Sequence, residues 1–191
     1  MPDPDVSHSG FWKKIYAAGD AGWDLGGPCP VFEHLLRSDL APPRGRVAFP
    51  GCGTGHDVRL FLAAGYDAVG FDFAIEPKGI PFEHLDVFEL GERHPAAFDV
   101  VVEYTCYCAI DPARRAEYAG ALRAALKAGG RLIALLYPME PRPDGPPFGI
   151  DEAEIDTVLG AGLELLHVET PASSVESRRG RERLVIFRKP G

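Results

Sequence analysis

The chain is poor in cysteine, with four in 191 residues. Cys29, Cys52, Cys106 and Cys108 are too few for a disulfide framework. Their spacing contains no C-x-x-C pair of the kind that grips a metal or exchanges thiols. A reducing compartment, the cytoplasm, is therefore expected. Positive charge is also short: 20 Lys and Arg stand against 28 Asp and Glu, a net −8. Such a chain feels no attraction to nucleic-acid phosphates or an anionic membrane surface. No apolar run reaches the roughly 18–20 residues of a membrane span. Met1–Gly10 is acidic and polar, without the apolar centre of a signal peptide. The six histidines, His8, His34, His56, His84, His94 and His167, form no H-x-x-x-H pair and no cluster with cysteine. No metal site is expected from them. Internal repeats and low-complexity tracts are missing too. These absences leave a small-molecule substrate as the expected partner, acted on by a monomer.

What is present is the composition of an ordinary soluble domain, 46% apolar and 25% charged. The length suits one domain, residues 1–191. Glycine (22) and proline (18) are plentiful but scattered, so they read as turns, caps and close backbone approaches. Strand-like runs at Arg46–Pro50, Asp67–Phe73, Phe82–Leu85, Phe98–Glu103 and Arg131–Tyr137 alternate with helix-like segments. The Val100–Val102 run suits a strand buried on both faces. Helices are expected at Asp57–Ala64, closed by Gly65, at Ala113–Ala128, opened by Asp111-Pro112, and at Asp151–Leu159. Leu163–Glu169 and Arg183–Arg188, joined by a polar loop, read as an antiparallel pair at one edge. The fold class is α/β: a Rossmann-like, mainly parallel sheet with an antiparallel edge strand and helices on both faces.

The richest stretch is Phe49-Pro50-Gly51-Cys52-Gly53-Thr54-Gly55-His56-Asp57. It follows a strand and opens a helix, the setting of a loop that cradles a nucleotide. Glycine there lets a ligand lie against the backbone. A dinucleotide fingerprint would read G-x-G-x-x-G, but His56 occupies the third glycine position. This disfavours NAD, whose diphosphate uses an exposed helix N-terminus. S-adenosylmethionine carries no phosphate and needs only close backbone passage. Asp72 ends the next strand, 19 residues after Gly53. A carboxylate there can accept hydrogen bonds from both hydroxyls of an adenosine ribose. Asp86, after the third strand, is placed either at the adenine edge or in a structural turn.

Further segments fit this frame in order: Phe11-Trp12, Gly22-Trp23-Asp24-Leu25, the Pro50–Gly53 loop, Glu103-Tyr104-Thr105-Cys106-Tyr107-Cys108-Ala109-Ile110-Asp111-Pro112, and Gly145-Pro146-Pro147-Phe148. Together they resemble the thiopurine S-methyltransferase family of class I S-adenosylmethionine-dependent methyltransferases, nearer its halide and thiol branch. The resemblance covers roughly residues 11–150. It implies methyl transfer to a small soft nucleophile: a thiol, hydrosulfide, thiocyanate or halide. It also implies that Trp12, Trp23, Gly51, Asp72, Asp86, Val87 and Tyr104 contact S-adenosylmethionine or lie beside its methyl. Gly53 belongs to the same cofactor set through the loop. Residues 1–40 would then form a lid over the cofactor. An indole face near a sulfonium stabilises it by about 0.5–2 kcal/mol. The thiopurine branch carries Arg where this chain has Tyr104, which turns the expectation toward small soft nucleophiles. Tyr104 is the candidate that orients them.

Other features receive structural readings. Cys106 and Cys108 alternate on what looks like an extended segment and read as packed thiols. Glu103 reads as a polar strand end, with the alternative that it serves as a base beside Tyr104. Arg178, Arg179, Arg181 and Arg183 read as a solvated basic loop, with the alternative that one reaches over the pocket toward an anion. Gly145–Phe148 reads as a stiff pocket wall with Phe148 as its apolar contact. Two other functions stand beside methyl transfer: an NAD(P)-dependent oxidoreductase, and a non-catalytic module that binds S-adenosylmethionine. One segment is anomalous. Only eight residues, Ala74–Pro81, separate the second and third strands, whereas a parallel crossover with its helix needs at least about 10–12. Either this chain lacks that helix or residues near Glu76–Pro77 are missing from the sequence. The second reading is preferred.

Overall fold

The computed structural model describes residues 5–142 and 144–191. Met1–Pro4 and Pro143 lie outside the described residues. Two N-terminal helices, α1 (Ser9–Ala18) and α2 (Pro30–Leu35), precede the sheet. Then come β1 (Arg46–Pro50), α3 (His56–Ala63), β2 (Asp67–Asp72), β3 (Phe82–His84), α4 (Leu90–Arg93) and β4 (Phe98–Tyr104). The chain ends with α5 (Arg115–Ala125), β5 (Leu126–Leu136), α6 (Glu152–Glu154), β6 (Glu164–Glu169) and β7 (Arg183–Arg188).

The strand order is β3-β2-β1-β4-β5-β7-β6. The first five strands pair in parallel. β7 inserts antiparallel between β5 and β6, so β6 is the edge. The order reverses beside β1, and ligands bind parallel sheets at the carboxyl ends of the strands flanking such a point.

Alternation along β4 explains why the sheet is buried on both faces. Val101 packs with Phe71, Tyr118 and Leu122 on one side. Val100 and Val102 pack with Phe32, Phe49 and Phe61 on the other. Two expectations need correcting. The helix expected to run to Ala128 ends at Ala125, because Leu126 already pairs with Phe98. The Ala96 and Ala97 amides donate to Ala124 O and Ala125 O there. Cys106 and Cys108 do not share an extended segment, because the chain turns into a 3₁₀ helix over Tyr107–Ala109.

The short connection after Asp72 holds no helix, yet β2 and β3 pair in register, Gly70 with Phe82 and Asp72 with His84. Residues 74–81 span this pairing. Arg59 Nη2 donates to Lys78 O at 2.6 Å and holds the loop onto α3.

Candidate active site

A cavity of about 630 Å³ opens at the carboxyl ends of β1, β2 and β4. Trp12, Trp23, Gly51, Gly53, Asp72, Asp86, Val87 and Tyr104 all line it. Residues picked from segments up to 92 positions apart thus meet around one space.

One wall is built largely from backbone. Gly51 and Gly53 have φ of +63° and +54°, a left-handed conformation that L side chains rarely adopt. A Cβ on Gly51 would also stand 2.7 Å from Cys106 Sγ. Asp72 is 6% exposed. Its Oδ2 accepts from Gly53 N at 3.0 Å, and its Oδ1 accepts from Ala74 N at 2.7 Å and Ile75 N at 3.3 Å. The carboxylate therefore ties the glycine loop to the end of β2 while facing the cavity. Burial pushes its pKa up, and these three amides oppose the shift. Asp86 caps the following turn, accepting from Phe88 N at 3.1 Å, and also lines the cavity. The structural-turn reading holds, and the residue also stands where the cavity can be reached.

The N-terminal segment forms the roof. Trp12 and Trp23 meet edge to face at 5.6 Å, and Trp23 Nε1 donates to Tyr16 Oη at 3.1 Å. Thr54 Oγ1 donates to Asp24 Oδ2 at 2.8 Å, which latches this segment onto the glycine loop. His56, the residue in the third glycine position, stands 3.4 Å from Asp24 Oδ1.

The opposite wall is built from side chains. Tyr104 ends β4, and its hydroxyl accepts from Arg178 Nη1. Arg178 Nη2 also donates to Trp23 O at 3.0 Å, and its guanidinium lies 5.0 Å from the Tyr137 ring centre. Arg178 is 5% exposed, so the expectation of a solvated loop residue fails for it. The alternative reading, one arginine reaching the pocket, describes what the chain does. Arg181 also lines the cavity, though it pairs with Glu140, and Arg179 remains exposed. Behind Tyr104, Glu182 Oε1 lies 3.5 Å from the tyrosine hydroxyl. Neither Glu182 nor the Asp24 latch was foreseen. Asp24 sits inside the G-W-D-L motif and carried a signal, whereas Glu182 is a lone acid among arginines and carried none.

Three other expectations are settled by geometry. Glu103 is fully buried rather than a polar strand end, and it accepts from Tyr107 N. Pro146 and Pro147 line the cavity, but the Phe148 ring lies back against Gly145. Burial pushes the Cys108 thiol up to about 12 and Cys106 well above its ordinary value, so both are protonated packing groups at neutral pH.

A buried carboxylate, a backbone cradle and a roof of two indoles fit an adenosyl sulfonium. The architecture is that of S-adenosylmethionine-dependent methyltransferases. A Burkholderia thailandensis 1,6-didemethyltoxoflavin N1-methyltransferase, solved with S-adenosylhomocysteine, superposes with a TM-score of 0.76 at 20% identity, covering 100% of this chain and 92% of that one. The thiopurine S-methyltransferase (TPMT) family matches over residues 7–80 and 75–189, and the chain belongs to it. The two stretches meet at the short connection after Asp72. Among similar proteins, a probable thiol methyltransferase 2 of Arabidopsis thaliana is 34% identical, over 95% of this chain and 85% of its own length. Thiocyanate methyltransferase 1 of Brassica oleracea is 30% identical over 97% and 88%. A thiopurine S-methyltransferase of Vibrio cholerae is also 30% identical, over 89% and 87%. The chain is an S-adenosylmethionine-dependent methyltransferase, and this displaces the oxidoreductase and non-catalytic readings. No helix among the described residues is long and apolar enough to cross a membrane.

Proposed function

We propose that this protein methylates small soft nucleophiles: thiols, hydrosulfide, thiocyanate or halide. The observation that carries the reading is Arg178. A buried guanidinium beside the Tyr104 hydroxyl, on the cavity wall, is a preformed cation for an anionic acceptor. The plant thiol and thiocyanate methyltransferases support the same class.

Bound S-adenosylmethionine supplies a methyl group already activated on a sulfonium. The chain has to hold, align and desolvate. Asp72 would accept from the ribose hydroxyls, and Asp86 and Val87 would border the adenine. Gly51 and Gly53 would pass the methionine part close to the backbone. Trp12 and Trp23 would close over the sulfonium, residues 1–40 acting as a lid on a single domain that spans the chain. Tyr104 would orient the acceptor. Halide, thiocyanate and hydrosulfide need no base. The acidic surface suits a small solute rather than nucleic acid, and the reading is of a cytoplasmic monomer.

The test is headspace analysis of purified protein with S-adenosylmethionine and iodide, thiocyanate or hydrosulfide. Volatile methylated products are expected. Silence across that panel, with cofactor binding shown by calorimetry, overturns the reading.

A further inference from the structure

Two carboxylates are buried near the acceptor wall. Glu103 turns away from the cavity and accepts from Tyr107 N. Glu182 is 1% exposed and is one hydrogen bond from the cavity, through Tyr104. The difference matters because some soft nucleophiles arrive with a proton. A thiol of ordinary pKa, about 8.5, is mostly protonated at neutral pH, and only the thiolate attacks.

The hydrogen bonds around Tyr104 have a direction. Arg178 donates to the tyrosine oxygen, which leaves the tyrosine proton for Glu182 Oε1. A second lone pair on the same oxygen remains for a donor in the cavity. Glu182 is poorly settled as an anion. Its Oε2 is buried with no hydrogen-bond partner among the described residues. Burial pushes its pKa up, opposed by Ser174, Arg178 and Tyr104. Arg178 Nη1 lies 3.9 Å from Oε1 and pairs with the ionised carboxylate, so its charge is left for an anion in the cavity only once Glu182 has taken up a proton. The Cys29 thiol also faces Tyr104, but burial pushes it up to about 12, so it stays protonated. A buried carboxylate with an orphaned oxygen, beside a tyrosine that lines the cavity, is a proton acceptor in waiting.

We propose that Glu182 is the positioning residue that deprotonates neutral thiols through Tyr104, extending the acceptor range from anions to protonated thiols. The S–H bond breaks and its proton goes to Tyr104 Oη. The tyrosine's own proton passes to Glu182 Oε1, and the bonding pair stays on sulfur as thiolate beside Arg178. One carboxylate and one thiol become one carboxylic acid and one thiolate, with charge conserved. An acceptor that carries no proton, such as iodide, makes no use of the relay. The proposal rests on the soft-nucleophile reading above.

The test compares wild type with Glu182→Gln on iodide, on an acidic aryl thiol already ionised at neutral pH, and on an alkanethiol. In the variant the alkanethiol-to-iodide ratio of kcat/KM is expected to fall about tenfold or more, with the aryl thiol affected less. A parallel loss on all three, or no loss, overturns the proposal. A second readout needs no turnover. The alkanethiol bound to wild type without S-adenosylmethionine should show the ultraviolet thiolate band, and the variant should lack it. An absent band in wild type overturns the proposal even if the variant does not fold. If wild type methylates none of the three, the functional reading fails, while the thiolate band still decides on Glu182.

Discussion

The two walls of the cavity are built on different principles. The cofactor wall runs through β1, β2 and the turn after β3, a short continuous stretch of chain. Its hydrogen bonds join a carboxylate to backbone amides within 19 positions. The acceptor wall joins the side chains of Tyr104, Arg178 and Glu182 across 74 and 78 positions, and Arg178 adds a bond to the Trp23 backbone carbonyl 155 positions away. Backbone cradles depend on glycine and a register, and they tolerate few alternatives. Side-chain walls can be rebuilt one residue at a time, which lets one scaffold keep its methyl donor and change its acceptor.

If the walls are separable, damage to each should stay on its own side. The largest effect is expected for Asp72→Ala. It orphans the amides of Gly53, Ala74 and Ile75 and removes the carboxylate facing the cavity. Calorimetry should show S-adenosylmethionine binding weakened about a hundredfold, the two ribose bonds to a charged group at roughly 1.5 kcal/mol each. The KM for iodide at saturating donor should move little. A wild-type-like donor affinity would remove Asp72 from the site.

The opposite damage is Arg178→Leu. The KM for iodide should rise about tenfold, the scale of one buried charge-assisted contact. Donor affinity should hold within about threefold. Arg178 also donates to Trp23 O, so this variant tests where the separation ends. Equal losses on both sides would show that the roof couples the walls. Trp23→Ala is the smaller companion. It should weaken donor binding several-fold, within the roughly 0.5–2 kcal/mol of a cation–indole contact, and more than Cys108→Ala does. Equal effects from the two would reduce Trp23 to a packing residue.

The same contrast explains what could be read without coordinates. The glycine loop, Asp72 and the five parallel strands were legible because each rests on local spacing: a period, a turn residue, a strand end. The Tyr104 position was legible for the same reason, as the last residue of an apolar run. Arg178 was not. Four arginines in a polar loop look alike, and only the fold carries one of them across to Tyr104 and Trp23. Glu182 lies in that loop too, four residues on. Cys106 and Cys108 misled because alternation implies a shared face only while the chain stays extended, and the 3₁₀ turn breaks that condition. The shortness of the crossover after Asp72 is plain from the sequence, since eight residues join the two strands. The family match divides at the same place, and the two strands still pair across it.

The smallest effect, and the last check on separability, concerns the buried carboxylate that faces away from the cavity. Burial pushes Glu103 up to about 7, and the amides of Tyr107 and Cys106 and the Arg115 charge only partly offset it. The sign follows from linkage. The folded state prefers the protonated acid, so its contribution is fully present below about pH 4.5. It is lost as pH rises through about 7. Asp57, raised to about 6 by burial, adds to the same decline. Glu103→Gln keeps an oxygen for Tyr107 N and cannot ionise. Its Tm should therefore fall less than that of wild type between pH 5 and 8, by a few degrees for a chain of this length. The residual slope belongs to Asp57, Asp72 and Glu182. Because Glu103 stands outside the Tyr104 hydrogen bonds, the same variant should leave the alkanethiol-to-iodide ratio where it is in wild type. A changed ratio with an unchanged Tm profile would reverse the roles of the two glutamates, making Glu103 the chemical group and Glu182 the structural one.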